Sequence, residues 1–145
     1  MDARAIIETL RLSAHPEGGW YRETWRAPYA EGARATASAI LFLLDAGERS
    51  HWHRVDATEL WLWHAGSPLA LSTAPRDDDA PVETILGPGV LAGETPQHVV
   101  PAFHWQAAEA RGGWALVSCI VSPGFDFAGF TLAAPGWRPG ADARD

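Results

Sequence analysis

Cysteine is nearly missing from this chain: Cys119 is the one cysteine in 145 residues, which excludes an intramolecular disulfide framework. No apolar run approaches membrane-spanning length, and the N-terminus lacks a basic stretch followed by an apolar one, so neither a transmembrane helix nor a secretory leader is expected. Basic residues form no cluster and the net charge is −7, which argues against nucleic acid as the main partner. Tyrosine is scarce as well, with Tyr21 and Tyr29 the two present. A cytoplasmic protein is the default expectation, with no membrane association.

The length suits one domain with a substantial core, spanning residues 1–145. Eight tryptophans are unusual for this size. Large aromatics of this kind either fill cores or line ligand cavities.

The stretch from Gly47 to Gly66, GERSHWHRVDATELWLWHAG, carries the chemistry most clearly. On a regular strand His51 and His53 project to the same face, with Cα atoms roughly 6–7 Å apart. That spacing lets two imidazoles converge on one metal ion or one small substrate; it also suits two polar residues at a strand rim. Glu59 opens a second apolar run, LWLW, expected to fold back beside the first as an antiparallel partner. Two imidazoles and a carboxylate would then face a common interior.

Along the rest of the chain, residues 1–14 hold a short N-terminal helix capped by Asp2, with Ile6, Ile7 and Leu10 as its apolar stripe. Pro16 and Gly18–Gly19 mark a turn before a strand from Trp20 to Arg26. Tyr21, Glu23 and Trp25 share one face of that strand, and Trp20, Arg22, Thr24 and Arg26 the other. Strands are further expected at 36–44, 67–73, 82–86, 90–92, 97–101 and 125–132. The runs 104–108 and 114–121 flank Gly112–Gly113 as a hairpin. The Pro/Gly-rich residues 135–145 form a tail. Many short strands punctuated by glycine and proline indicate an all-β sandwich or barrel.

The blocks HPEGGWYRET (15–24), SAILFLL (38–44), SHWHRVDATELW (50–61), VPAFHWQAAE (100–109) and VSCIVSPGFDFAGF (117–130) resemble, in order, a small single-domain cupin family of unknown function. That family is related to the dTDP-sugar 3,5-epimerases, and the resemblance implies a jelly-roll barrel (a double-stranded β-helix) and a homodimer. It also implies a divalent metal such as zinc, iron, manganese or nickel, held by His51, His53 and Glu59. The third cupin histidine would fall at Gln106, whose neutral amide is a poor ligand beside imidazole. His104 lies two residues earlier as a possible substitute.

The epimerase resemblance offers a metal-free alternative, with His53 as base, Glu59 or Asp56 as its carboxylate partner, and Tyr21 or Tyr29 as acid. Candidate substrate-binding residues are Trp20, Arg22, Glu23, Trp61, Trp63, His104 and Gln106. Arg34 and Arg54 are further candidates for gripping a phosphate or carboxylate. Core packing accounts equally well for Trp61 and Trp63, and a surface ion pair for Arg34. A small polar, sugar-like metabolite is the expected ligand, with a storage-type binding protein without turnover as the alternative. Cys119, in an apolar strand, is expected to be buried and inert, and His15 and His98 to be structural or exposed. Asp126 is expected to fix a turn, and His53→Ala to leave the fold intact.

Overall fold

The computed structural model describes residues 2–140. Residues 141–145, at the end of the expected tail, lie outside that range. Asp2 accepts a hydrogen bond from the Arg4 N–H at 3.1 Å and starts α1 (Ala3–Leu10). The helix stops at Arg11, which adopts a left-handed conformation, so it is a short helix within the expected 1–14 segment. Its apolar stripe of Ile6, Ile7 and Leu10 packs with Ala3 and Leu12 onto Leu43.

Eleven strands among the described residues form two antiparallel sheets. The first runs in the order β1 (Ser13–Ala14), β2 (Trp20–Arg26), β3 (Ser38–Leu44), β10 (Ala115–Ser122), β5 (Thr58–Gly66) and β8 (Gln97–Val100). The second runs β11 (Phe130–Leu132), β4 (Arg49–Val55), β9 (Trp105–Ala110), β6 (Leu69–Ala74) and β7 (Val82–Leu86). This is the two-sheet jelly-roll arrangement expected, with one short helix laid outside the first sheet. No helix among the described residues is long and apolar enough to cross a membrane.

Alternation decides what lies between the sheets. On β10, Ala115, Val117, Cys119 and Val121 are buried while the residues between them are not. Phe42 and Leu44 from β3, Trp61 from β5, and Leu69 and Leu71 from β6 complete the main core. Trp61, Leu43 and Phe42 are almost wholly enclosed. Burying an aromatic side chain of this size contributes about 2–3 kcal/mol through apolar area alone.

Two expected hairpins do not form. β5 does not pair with β4: it lies between β10 and β8 in the first sheet, while β4 lies between β11 and β9 in the second. The Asp56–Ala57 corner therefore carries the chain from one sheet to the other. β9 and β10, flanking Gly112–Gly113, likewise belong to different sheets. Residues 90–92 form a 3₁₀ turn instead of a strand. The expected strand at 125–132 is a 3₁₀ turn at 127–129 followed by β11. Asp126 caps that turn through the Ala128 N–H at 3.0 Å, as its side-chain chemistry suggests.

Candidate functional site

The His-Trp-His segment does not follow strict strand alternation. Ser50 pairs with Ala108 and His53 with Gln106, so three steps along β4 answer two along β9. One extra residue is accommodated as a β-bulge, which breaks the two-residue period. Ser50, His53 and Val55 consequently face inward and are buried. The His51 ring reaches the Ala134 carbonyl instead, at 2.9 Å on the exposed side. It borders a shallow recess of about 180 Å³ on the outer face of the second sheet, beside Arg49, Trp52 and Glu109.

The bulge also exposes a backbone donor. The His51 N–H donates to the Glu17 carbonyl at 2.7 Å, tying the Pro16–Gly19 turn to β4. Gly18 permits this approach: its φ is +106°, and a Cβ there would lie 2.2 Å from the Arg49 carbonyl oxygen. The docked turn delivers Glu17 into the interior, where its Oε2 meets His53 Nδ1 at 2.7 Å. Ser50 Oγ donates to the same oxygen at 2.6 Å.

His53 Nδ1 also lies 2.7 Å from the His51 carbonyl. Both neighbours of Nδ1 are acceptors, so Nδ1 carries the proton in the neutral as well as the charged ring. The reactive nitrogen is therefore Nε2: the ring's polar contacts among the described residues are made through Nδ1, and since no fully enclosed side-chain nitrogen among them lacks a partner, Nε2 opens onto the pocket that His53 lines. His15 is arranged the other way round. Its Nδ1 accepts the Glu17 N–H at 3.1 Å, and its ring packs edge-on to Tyr21 at 4.5 Å.

Charge follows from these contacts. Burial opposes a charged His53, but the Glu17 carboxylate, both as a charge and as a hydrogen-bond acceptor, outweighs it and raises the pKa to about 9. Burial likewise opposes ionised Glu17, yet the His53 cation, with the Ser50 hydroxyl, holds its pKa below the ordinary value. The pair is an imidazolium–carboxylate at neutral pH. Burial lowers the pKa of His15, against the pull of Glu17, and keeps that ring neutral.

Glu59 enters from the opposing sheet. Trp61 Nε1–H donates to Gln106 Oε1 at 2.7 Å, which turns the Gln106 amide nitrogen toward Glu59 Oε1, also at 2.7 Å. Burial raises the pKa of Glu59, with the Glu17 charge adding to it and His53 opposing. The Cys119 thiol is buried beside this carboxylate, and burial pushes its pKa well up, so it is the inert thiol expected.

These groups surround a pocket of about 30 Å³. His15, Glu17, Tyr21, His53 and Glu59 supply its polar wall, and Ile40, Val55, Val121, Phe125 and Phe130 its apolar wall. Of the residues singled out from the sequence, His53, Glu59 and Tyr21 thus meet at one place. Gln106 orients Glu59 from behind, and Trp61 is core. The others lie elsewhere. Trp20 packs against α1, and Arg22 donates to the Leu10 carbonyl at 2.7 Å. Glu23 pairs with Arg26, Trp63 donates to the Ser67 carbonyl, and His104 precedes β9 away from the pocket lining. Asp56 is held by Arg34 at 2.8 Å and cannot serve His53, while Arg54 stacks on Trp105 at 4.6 Å.

Glu17 and His15 are the site residues that the sequence did not single out. Their signal was the turn itself, a carboxylate between Pro16 and a Gly-Gly pair, immediately before an inward-facing aromatic strand. A turn glutamate reads as solvated unless the docking of that turn is known.

The proposed metal ligands do not fit an ion. His51 lies outside and the Gln106 amide is engaged at both ends, which leaves only His53 Nε2 and Glu59 of the expected ligand set facing the interior. Among the described residues no group of three or more His, Cys, Asp or Glu side chains is arranged to hold a metal.

Among solved structures, a Shewanella oneidensis protein is 38% identical, covers 92% of this chain and 85% of its own, and superposes with a TM-score of 0.85. A hypothetical protein from Leishmania major is 33% identical over 92% of this chain and 88% of its own, with a TM-score of 0.83. Oxalate decarboxylase from Bacillus subtilis shares the fold at 13% identity, with 82% of this chain matched to 29% of that one and a TM-score of 0.63. No functionally curated protein matches the sequence. The profile of the Cupin_5 family, described as cupin superfamily (DUF985), matches residues 4–133, and the chain belongs to that family.

Proposed function

We propose that this cupin binds a small carbonyl-bearing metabolite in its interior and moves a proton at the carbon beside the carbonyl, as an isomerase or epimerase working without a metal. One observation carries the reading: the buried His53 ring is fixed through Nδ1 by Glu17 at 2.7 Å, which leaves Nε2 for a ligand in the pocket that the ring lines. A hydrogen bond from Nε2 to the carbonyl oxygen stabilises the enolate that forms when the neighbouring carbon loses its proton. With His53 protonated at rest, the base is Glu59, whose raised pKa makes its carboxylate form a stronger acceptor. This exchanges the roles expected from the sequence, where His53 was the base. Tyr21, which also lines the pocket, returns a proton to the other face of the carbon. The Glu59 proton and the Tyr21 phenolate then re-equilibrate through water.

Deuterium incorporation from D₂O into small hydroxy-carbonyl compounds, followed by NMR, tests the reading. Incorporation by the wild type that disappears in His53→Gln is the expected result. Incorporation unchanged in His53→Gln removes His53 from the chemistry. The narrow, half-aromatic pocket also suits a second reading, retention of a ligand without turnover, which predicts saturable binding and no exchange. A cytoplasmic homodimer remains part of the proposal.

A further inference from the structure

Resting on that reading, we infer that the pocket selects an uncharged, compact hydroxy-carbonyl compound and rejects phosphorylated, carboxylated and nucleotide-linked ones. The placement of cations, the charges inside and the volume carry this. No arginine or lysine is among the pocket-lining residues. The arginines proposed from the sequence as anion holders lie elsewhere, on Leu10, on Asp56 and over Trp105.

The two arginines that reach the segment closing the pocket are likewise spent on the chain itself. Arg26 donates to the Phe125 carbonyl at 3.0 Å and pairs with Glu23. Arg34 donates to the Gly124 carbonyl at 2.8 Å and pairs with Asp56. Phe125 and Phe130 then present apolar surface to the interior.

The interior holds no spare positive charge, and the Glu59 carboxyl adds a further acidic group. Glu17 and His53 neutralise each other at 2.7 Å, and both are buried. An incoming phosphate or carboxylate would shed its water and meet no unpaired cation, while lying near the Glu17 charge. Such transfer is strongly unfavourable in a low-dielectric interior. A carbonyl or hydroxyl oxygen needs only one donor, and His53 Nε2–H supplies it. Volume points the same way: about 30 Å³ is far below the several hundred typical of sites for larger ligands.

The test pairs each neutral probe with its charged counterpart: dihydroxyacetone with dihydroxyacetone phosphate, and hydroxyacetone with lactate. Binding is read from the ¹⁵N resonances of His53 and from thermal shift, neither of which requires turnover. The expected result is saturable perturbation of His53 by the neutral members, with at least tenfold weaker binding of the charged ones. Phe125→Ala should extend neutral binding to pentoses without admitting phosphates. Equal or tighter binding of the charged members overturns the inference, as does binding of neither. Neutral binding without deuterium exchange would sink the proton-transfer reading and leave this selectivity standing. Exchange on a bound phosphorylated probe would do the reverse.

Discussion

Glu17 Oε2 and His53 Nδ1 meet at 2.7 Å inside the barrel, although one sits in a glycine-rich turn and the other in a strand of the second sheet. The pair is both the chemical centre of the pocket and a structural tie between that turn and β4. Removing either partner leaves a buried charge unmatched.

Glu17→Gln is therefore expected to cost about 3–5 kcal/mol, the range for breaking a buried ion pair. His53→Ala should cost a similar amount, which revises the expectation that its loss leaves the fold untouched. Urea unfolding of His53→Ala, of the Glu17→Gln and His53→Gln single variants, and of the Glu17→Gln/His53→Gln double variant measures this. The double variant should lose less than the sum of the singles.

The pair should also shape stability against pH. Folded His53 titrates at about 9 and the unfolded side chain near 6.5. Its contribution is complete below 6.5 and is lost as pH rises through 9. Glu17, held below its ordinary value of 4.5, contributes above 4.5 and loses that contribution as pH falls through its lowered pKa. Glu59, raised by burial, also makes stability fall above 4.5, so the comparison is made against a variant. The wild type should lose more stability between pH 6.5 and 9.5 than the Glu17→Gln/His53→Gln double variant does. Parallel curves would show that the pair is not ionised.

Gly18→Ala should destabilise by at least about 2 kcal/mol, since it combines a positive φ with a backbone clash. The turn would then undock from β4, and His53 would lose Glu17. Histidine NMR in this variant should show the His53 pKa falling toward the ordinary value. Retention of the raised pKa would mean that Glu17 reaches His53 without this docking.

Gln106→Ala orphans both the Trp61 N–H and the hydrogen bond to Glu59, and should cost on the order of 3 kcal/mol. His51→Ala, at an exposed contact, should cost less than about 1 kcal/mol and leave ligand binding unchanged. Loss of binding in His51→Ala would place His51 in the pocket after all.

Much of the fold was legible because it depends on short-range pattern. Glycine and proline punctuate the strands, alternation on Ala115–Ser122 marks the inward face, and Asp2 announces the helix. What was not legible depends on pairing between distant segments. Gly112–Gly113 looks like a hairpin turn locally, yet the strands on either side join different sheets, with β10 paired to β3 and β5 from distant parts of the chain. His51 and His53 read as a pair for the same reason: a bulge is a relation between β4 and β9, and β4 alone does not reveal it. Glu59 and Tyr21 fell in place because their alternation is regular where it matters. Glu17 escaped notice because its value comes from the strand it docks on, not from its neighbours in the chain.

The irregularity in β4 works as a phase selector. A sister sequence with the same His-Trp-His letters but one residue fewer opposite Ala107 would swing both imidazoles to a single side of the sheet. Two proteins with an identical inventory of side chains could in this way offer the hollow either one lone imidazole or a matched pair. Divergence of chemistry within such barrels thus needs no new functional group, only an insertion or deletion of one backbone step.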